Sequence, residues 1–234
     1  MQYIAFMSRS LIAGSLALAA CGTASAPAPA PATAPGVASA SAAAAPASVT
    51  PADPALVAIG PEAETIDATT LVGEPAPPFE VDSWMSSPAL TVEALRGQVV
   101  LVRWFTDGCP YCAATAPSLV AFHDELHARG LAVIGLYHHK SDEPLTVESV
   151  RAVVDRFGFR FPVAIDRDWK TLQRWWLDDH PEGWTSLSFL IDRRGVVRFV
   201  HTGGAYAPGS DDAAQMRAWI EQLLAEPVPA ETGR

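Results

Sequence analysis

At 234 residues the chain is long enough for one ordinary domain plus extensions, and 49% hydrophobic residues can fill a core, although an alanine-rich front end inflates that figure. Net charge is −10, with no block of Lys or Arg. That balance excludes a nucleic-acid partner, whose affinity rests on neutralising phosphates, and a polybasic membrane patch.

Residues 1–21 carry Arg9, an apolar stretch over 11–20 and then Cys21. One positive charge, a short apolar stretch and small residues before a break read as an export signal. The stretch is too short to span a bilayer. The run Leu18-Ala19-Ala20-Cys21 resembles the bacterial lipobox. That resemblance implies cleavage before Cys21 and its lipidation, and several acyl chains would anchor the protein stably. Gly22 in place of Asp implies, by the habit of that family, the periplasmic side of the outer membrane. From residue 22 to about 60 nearly every residue is Ala, Pro, Ser, Thr or Val. Such chain cannot bury enough surface to offset its ordering entropy, so a disordered tether is expected over 22–65. Extended Pro-rich chain gives it a reach on the order of 100 Å.

A folded domain is expected over 66–228, where Trp, Phe, Leu and Val recur in blocks separated by Gly, Pro and Asp. Residues 98–105 read as a buried strand, β-rich and nearly continuous, closed by the turn Thr106-Asp107-Gly108. A helix is predicted over 110–129, with Pro110 in its first turn, a stripe of Leu119, Phe122 and Leu126 and a kink at Pro117. Strands follow at 131–137 and 161–165, helices at 147–157 and 169–176. Residues 186–192 and 196–201 read as a hairpin around Arg193-Arg194-Gly195, and 211–225 as a closing amphipathic helix. Alternating strands and helices ending in a hairpin predict an α/β sandwich around a mixed sheet.

Three cysteines are few, and lipidation of Cys21 would leave one closed pair, Cys109 and Cys112. The order strand, turn, Cys-x-x-Cys, helix places Cys109 at a helix N-terminus, where unpaired N–H groups and the helix dipole favour an anion. A thiolate is that anion, and stabilising it raises reactivity near neutral pH. Cys112, one turn later, is the expected resolving thiol in an attack, mixed-disulfide and release cycle. A structural bridge is the first alternative, but so short a loop constrains little chain. A zinc half-site is the second, and it would need a further pair of ligands.

Several runs resemble the thioredoxin superfamily, in particular the TlpA/ResA-like group of extracytoplasmic thiol–disulfide oxidoreductases. They are residues 71–83, Leu95-Arg96-Gly97 before the strand, and Phe189-Leu190-Ile191-Asp192-Arg193-Arg194-Gly195. The resemblance implies a thioredoxin-like three-layer sandwich with a central mixed sheet. It implies disulfide exchange with protein thiols and a redox partner protein, without a cofactor. Four departures matter. Ser186 stands where the group carries a cis-proline that shapes the substrate groove and keeps metals off the thiols. Arg103 stands where it carries a buried acid or amide. Arg103 is expected to pair with a buried carboxylate, to tune the thiolate, or to lie solvated at an edge. Pro110-Tyr111 is a glutaredoxin-like dipeptide, suggesting a less reducing pair than thioredoxin's. Thr106, three residues before Cys109, echoes the peroxiredoxin motif, but Val102 replaces that motif's proline.

The expected substrate-facing residues are Trp104, Pro110, Tyr111, Thr185 and Ser186, with Trp184 alongside them. His138 and His139 follow the second predicted strand, at the active-site end of such a sheet, and read as surface or turn histidines. His180 lies near where copper-delivering Sco-like relatives keep a His, although those space their cysteines one residue wider. His123 and His127, one helical turn apart, read as a solvated face more than a metal clip. A monomer binding no resident metal is expected. A thiol peroxidase of similar fold and a copper or zinc carrier are the competing readings.

Overall fold

The computed structural model describes residues 57–59 and 71–229, all within one compact unit, Pro46–Arg234. The expected signal segment, Cys21 and most of the expected tether lie outside the described residues. Among these residues no helix is long and apolar enough to cross a membrane.

The order of elements is β1 (Val57–Ile59), β2 (Ser83–Met85), β3 (Val99–Phe105), α1 (Pro110–Leu126), β4 (Leu131–His138), α2 (Val147–Phe157), β5 (Val163–Asp166), α3 (Lys170–Leu172), β6 (Ser188–Ile191), β7 (Val197–His201) and α4 (Asp211–Ala225). The strands form one mixed sheet in the order β1-β7-β6-β3-β4-β5-β2. β3 sits at its centre, parallel to β4 and antiparallel to β6. Every β3 residue is buried, which accounts for a run that is apolar at every position but Arg103: a strand covered on both faces has no solvent side to show.

Side chains on a strand alternate between faces, and the two faces meet different partners. Val99, Leu101 and Phe105 pack with the inner sides of α1, α2 and α4. Val100, Val102 and Trp104 pack with Ala76, Val92, Leu95 and the α3 region. The molecule is therefore an α/β sandwich of the thioredoxin type, as the sequence predicts.

Interior elements match their predicted bounds closely. α2 is held at its start by a reciprocal capping box between Thr146 and Ser149 and at its end by left-handed Gly158. α4 begins at Ser210, whose hydroxyl accepts from Ala213 N. Three peripheral features differ from expectation. Val57–Ile59, inside the stretch assigned to the tether, pairs in parallel with β7 as an edge strand. A β-branched residue at each end of that tripeptide suits an extended edge. β2 was not predicted, and pairs antiparallel with β5 at the opposite edge. The helix expected at 169–176 is a single α turn that continues as a π turn over Gln173–Leu177. Asp166 caps that turn, accepting from Thr171 N at 3.2 Å and Leu172 N at 2.9 Å.

Candidate active site

The centre of the sheet delivers the cysteines. β3 ends at Phe105, and the following turn needs Gly108 at φ +67°, a left-handed conformation that glycine adopts without strain. Cys109 is the N-cap of α1, with extended backbone, and Pro110 opens the helix. Cys109 Sγ accepts a hydrogen bond from Cys112 N at 3.1 Å. Cys109 is half-buried, whereas Cys112 is only 2% exposed and packs among Ala116, Leu119 and Phe105. A disulfide joins them, with Cα atoms 5.2 Å apart. One sulfur is thus approachable at a helix N-terminus, and its partner is screened one turn behind.

Cys109 lies on the rim of a cavity of about 440 Å³, shared with Thr106, Tyr111, His138, Trp184, Thr185 and Ser186. Tyr111, 44% exposed, meets Trp184 edge-to-face at 5.0 Å between centroids. That contact bridges α1 and the 183–186 loop. Of the expected substrate-facing residues, Tyr111, Thr185 and Ser186 line this cavity. Pro110 lines a smaller hollow of about 230 Å³ on the other side of Cys109, with Ala113, Arg156 and Phe157.

Trp104 does neither. It is fully buried on the opposite side of β3 from Phe105, in edge contact with Trp175 and Phe189 at 5.5 and 5.7 Å. The sequence reading placed it among the substrate-facing residues, but the alternation of the strand turns it into the core. Its truncation would cost about 3–5 kcal/mol of stability and remove no substrate contact.

Arg103 is 1% exposed, so it is not a solvated edge residue. It has no carboxylate within ion-pairing distance among the described residues. Nη2 donates to the Gly204 carbonyl at 2.8 Å and Nη1 to Ser188 Oγ at 3.3 Å, and the guanidinium lies 5.2 Å from the centre of the Tyr206 ring. Burial lowers its pKa from the ordinary arginine value, partly offset by Tyr206. Tyr206 is itself tied to α1: its N–H donates to Thr115 Oγ1 at 3.2 Å and its carbonyl accepts from Ser118 Oγ at 2.7 Å. The buried cation therefore sits against the layer that holds the cysteine helix.

The structure adds residues that the sequence reading passed over. Asp107 Oδ1 accepts from Tyr137 Oη at 2.8 Å and from Thr106 Oγ1 at 3.1 Å. Burial alone would raise the Asp107 carboxyl, but these hydrogen bonds outweigh it and hold its pKa below the usual carboxylate value. Burial and the Asp107 contact push the Tyr137 phenol well above its ordinary value. The signal available in sequence was Asp107 itself, an acid directly after a buried strand.

The histidines separate sharply. His138, expected at a surface or turn, is completely buried at the end of β4. His139 pairs with Tyr137 Oη at 3.3 Å and with the Glu143 carbonyl at 2.8 Å. His180 is buried and stacks on Trp176 at 3.9 Å between ring centroids. His123 and His127 stack on each other at 5.1 Å. Among the described residues no group of three or more His, Cys, Asp or Glu is arranged to hold a metal ion.

An α/β sandwich carrying a Cys-x-x-Cys disulfide at the N-terminus of the helix after its central strand defines a thioredoxin-like protein. More specifically, the chain belongs to the AhpC/TSA family, whose pattern spans residues 72–200. It is 26% identical over 152 residues to protein DipZ of Mycobacterium tuberculosis, covering 64% of this chain and 20% of DipZ. It is 27% identical over 133 residues to the thiol-disulfide oxidoreductase ResA of Halalkalibacterium halodurans, covering 56% of this chain and 69% of ResA. The crystal structure of a thiol-disulfide isomerase from Corynebacterium glutamicum superposes with a TM-score of 0.52 at 29% identity, covering 65% of this chain and 98% of that one. The chain thus spans a fifth of DipZ but nearly the whole of the isomerase.

Proposed function

We propose that the chain is a thiol–disulfide oxidoreductase that exchanges disulfides with protein substrates outside the cytoplasm through Cys109-Pro110-Tyr111-Cys112. The observation that carries this reading is the asymmetry of the pair: Cys109 half-buried at the cap of α1 and on the rim of the cavity, Cys112 sealed beneath it. The names of ResA and of the isomerase support the same chemistry.

In the reducing direction the Cys109 thiolate attacks a substrate disulfide. The substrate's second sulfur leaves with the electron pair, and a mixed disulfide forms. Cys112, deprotonated, then attacks Cys109, which releases the reduced substrate and restores the bridge. The N–H of Cys112 and the open end of α1 stabilise the Cys109 anion in each step. Lipidation at Cys21 would hold the domain at a membrane while the Ala/Pro-rich segment supplies reach.

The test is reduction of insulin by the dithiothreitol-reduced chain, with Cys112→Ser used to trap partners as mixed disulfides. Turnover in the wild type, none in Cys109→Ser, and trapping by Cys112→Ser are expected. Absence of both turnover and trapping ends the reading. Peroxide offered in the same assay distinguishes a thiol peroxidase, which Thr106 beside Cys109 in the cavity would suit. That reading requires faster oxidation of Cys109 by peroxide than by insulin. For the anchor, Cys21→Ser should move the protein from the membrane fraction to the soluble fraction; an unchanged distribution would remove lipidation from the proposal.

A further inference from the structure

The cavity beside Cys109 contains a buried polar group that the exchange cycle above leaves idle. His138 closes β4, is 0% exposed, and lines the cavity with Thr106, Cys109 and Ser186. Neither Nδ1 nor Nε2 makes a hydrogen bond of good geometry among the described residues; the Phe105 backbone comes near enough to favour a proton on the ring, but not in hydrogen-bonding alignment. Trp169 meets the ring edge-on at 5.3 Å. A buried polar group without a partner costs free energy, and each one in a folded protein calls for a reason. Thr106, Asp107 and Lys140 nearby are already engaged or exposed. Thr106 Oγ1 donates to Asp107, Asp107 also holds Tyr137, and Lys140 is exposed with its ammonium 5.6 Å from the centre of the Trp169 ring.

Disulfide exchange is an in-line displacement. Negative charge builds on the attacking sulfur and on the outgoing sulfur, at opposite ends of a three-sulfur array. At this site the attacking end is provided for by Cys112 N–H and the start of α1. In an in-line displacement the outgoing sulfur of a docked disulfide would lie on the far side of the attacked sulfur from Cys109, further from that helix terminus.

We propose that the His138 imidazole donates a hydrogen bond to the outgoing sulfur of a peptide disulfide docked at Cys109, making it a substrate-contacting residue of the exchange. The inference rests on the oxidoreductase reading. The bond between Cys109 Sγ and the substrate forms, the substrate's own S–S bond breaks, and the electron pair stays on the sulfur facing His138. No proton leaves the ring, and the new thiolate takes its proton from solvent. Run in reverse, the same N–H steadies the incoming substrate thiolate. Burial depresses the His138 pKa to about 3, with the charges of Lys140 and Arg103 acting in the same sense and the Phe105 backbone and Asp107 opposing them. The ring is therefore neutral near pH 7 and keeps one N–H to offer.

The experiment compares the full chain with His138→Leu, His138→Phe and His138→Gln, using a synthetic peptide with one intramolecular disulfide and dithiothreitol as reductant. Leu and Phe should each lower kcat/KM on the order of ten- to a hundredfold, the worth of one hydrogen bond to a charged group. Gln retains a donor and should recover most of the rate. The melting temperature of the Leu and Phe variants should hold or rise, since an unpaired polar group has been removed. Leu or Phe variants that fold and exchange at the wild-type rate would make His138 an ordinary core residue and overturn the proposal. A wild type that neither exchanges nor is trapped through Cys112→Ser sinks the oxidoreductase reading, and this inference with it.

Discussion

Burying a guanidinium without a carboxylate costs several kcal/mol, so Arg103 on the central strand needs a compensating role. Its neutral partners, the Gly204 carbonyl, Ser188 and the Tyr206 ring, solvate the cation without cancelling its charge. The uncancelled charge lies against the layer that carries α1. Reduction of the Cys109–Cys112 bridge creates a thiolate at the start of that helix, and the attraction between the two favours the reduced form. Arg103→Met should therefore raise the Cys109 thiol pKa by about one unit and make the potential more negative by about 30 mV. Stability should be unchanged or improved, because the charge is removed rather than left unpaired. Titration of thiolate absorbance and equilibration with a glutathione buffer read the two quantities. A Cys109 pKa unmoved in a folded variant would confine Arg103 to a packing role. At this scale the sequence was legible where chemistry is local: the two cysteines declare themselves by spacing. Arg103, Trp104 and His138 were not, because their meaning depends on which face of a strand they occupy and on what covers it.

The cavity wall opposite Cys109 is set by an element rather than by a single residue. Trp184 sits in the 183–186 loop, and its packing requires Gly203. A Cβ at position 203 would lie 2.5 Å from Trp184 Cβ and 2.7 Å from Cγ, on a backbone at φ +143° that side chains rarely adopt. Gly203 therefore lets Trp184, the residue that meets Tyr111, pack closely against this backbone. Gly203→Ala should displace Trp184 and the loop, cost about 1–3 kcal/mol of stability, and lower kcat/KM for a peptide disulfide roughly ten- to a hundredfold. Tyr111→Ala separates the two effects: it removes the aromatic contact without backbone strain, so it should lower kcat/KM while sparing stability. If Gly203→Ala loses stability but keeps its rate, the loop position does not control substrate access. Elements with dense local signals were legible to within a residue or two, as at β3, α2 and α4. The edge strands β1 and β2 carry only three residues each, and their pairing is decided by a distant neighbour. The π turn after α3 likewise follows from how Trp175, Trp176 and Leu177 are drawn into the core, which periodicity does not encode.

Across the whole molecule, two of the three buried histidines have no exposed surface at all, and they lie on opposite sides of the sheet. His138 lies on the Trp104 side. His201, 0% exposed at the end of β7, faces Tyr206 at 5.1 Å on the α1 side. The α/β class was readable from the alternation of elements, and these two sites follow from the fold's closure, which no local pattern shows. Burial pushes both imidazoles down to about 3; for His201 the Arg103 charge adds to it. Asp212 lies 3.7 Å from His201 Nε2, but that carboxylate is 48% exposed and screened by solvent, so burial prevails. The sign of the linkage follows. The unfolded chain binds a proton at each His near pH 6.5, while the folded chain does not until about pH 3. The stability these groups contribute is complete above pH 6.5 and is lost progressively as pH falls toward 3. Between pH 7 and pH 5 the loss is about 2 kcal/mol per histidine, or about 4 kcal/mol together. Urea unfolding midpoints at the two pH values measure it. His201→Gln should remove about half of the fall and the His138→Gln, His201→Gln double variant most of it. Comparing variants at the same pair of pH values cancels the contribution of carboxylates such as Asp107 and Asp166. Parallel pH slopes for wild type and double variant would mean that these rings are hydrated in solution, and would take with them the buried, neutral His138 on which the substrate contact depends.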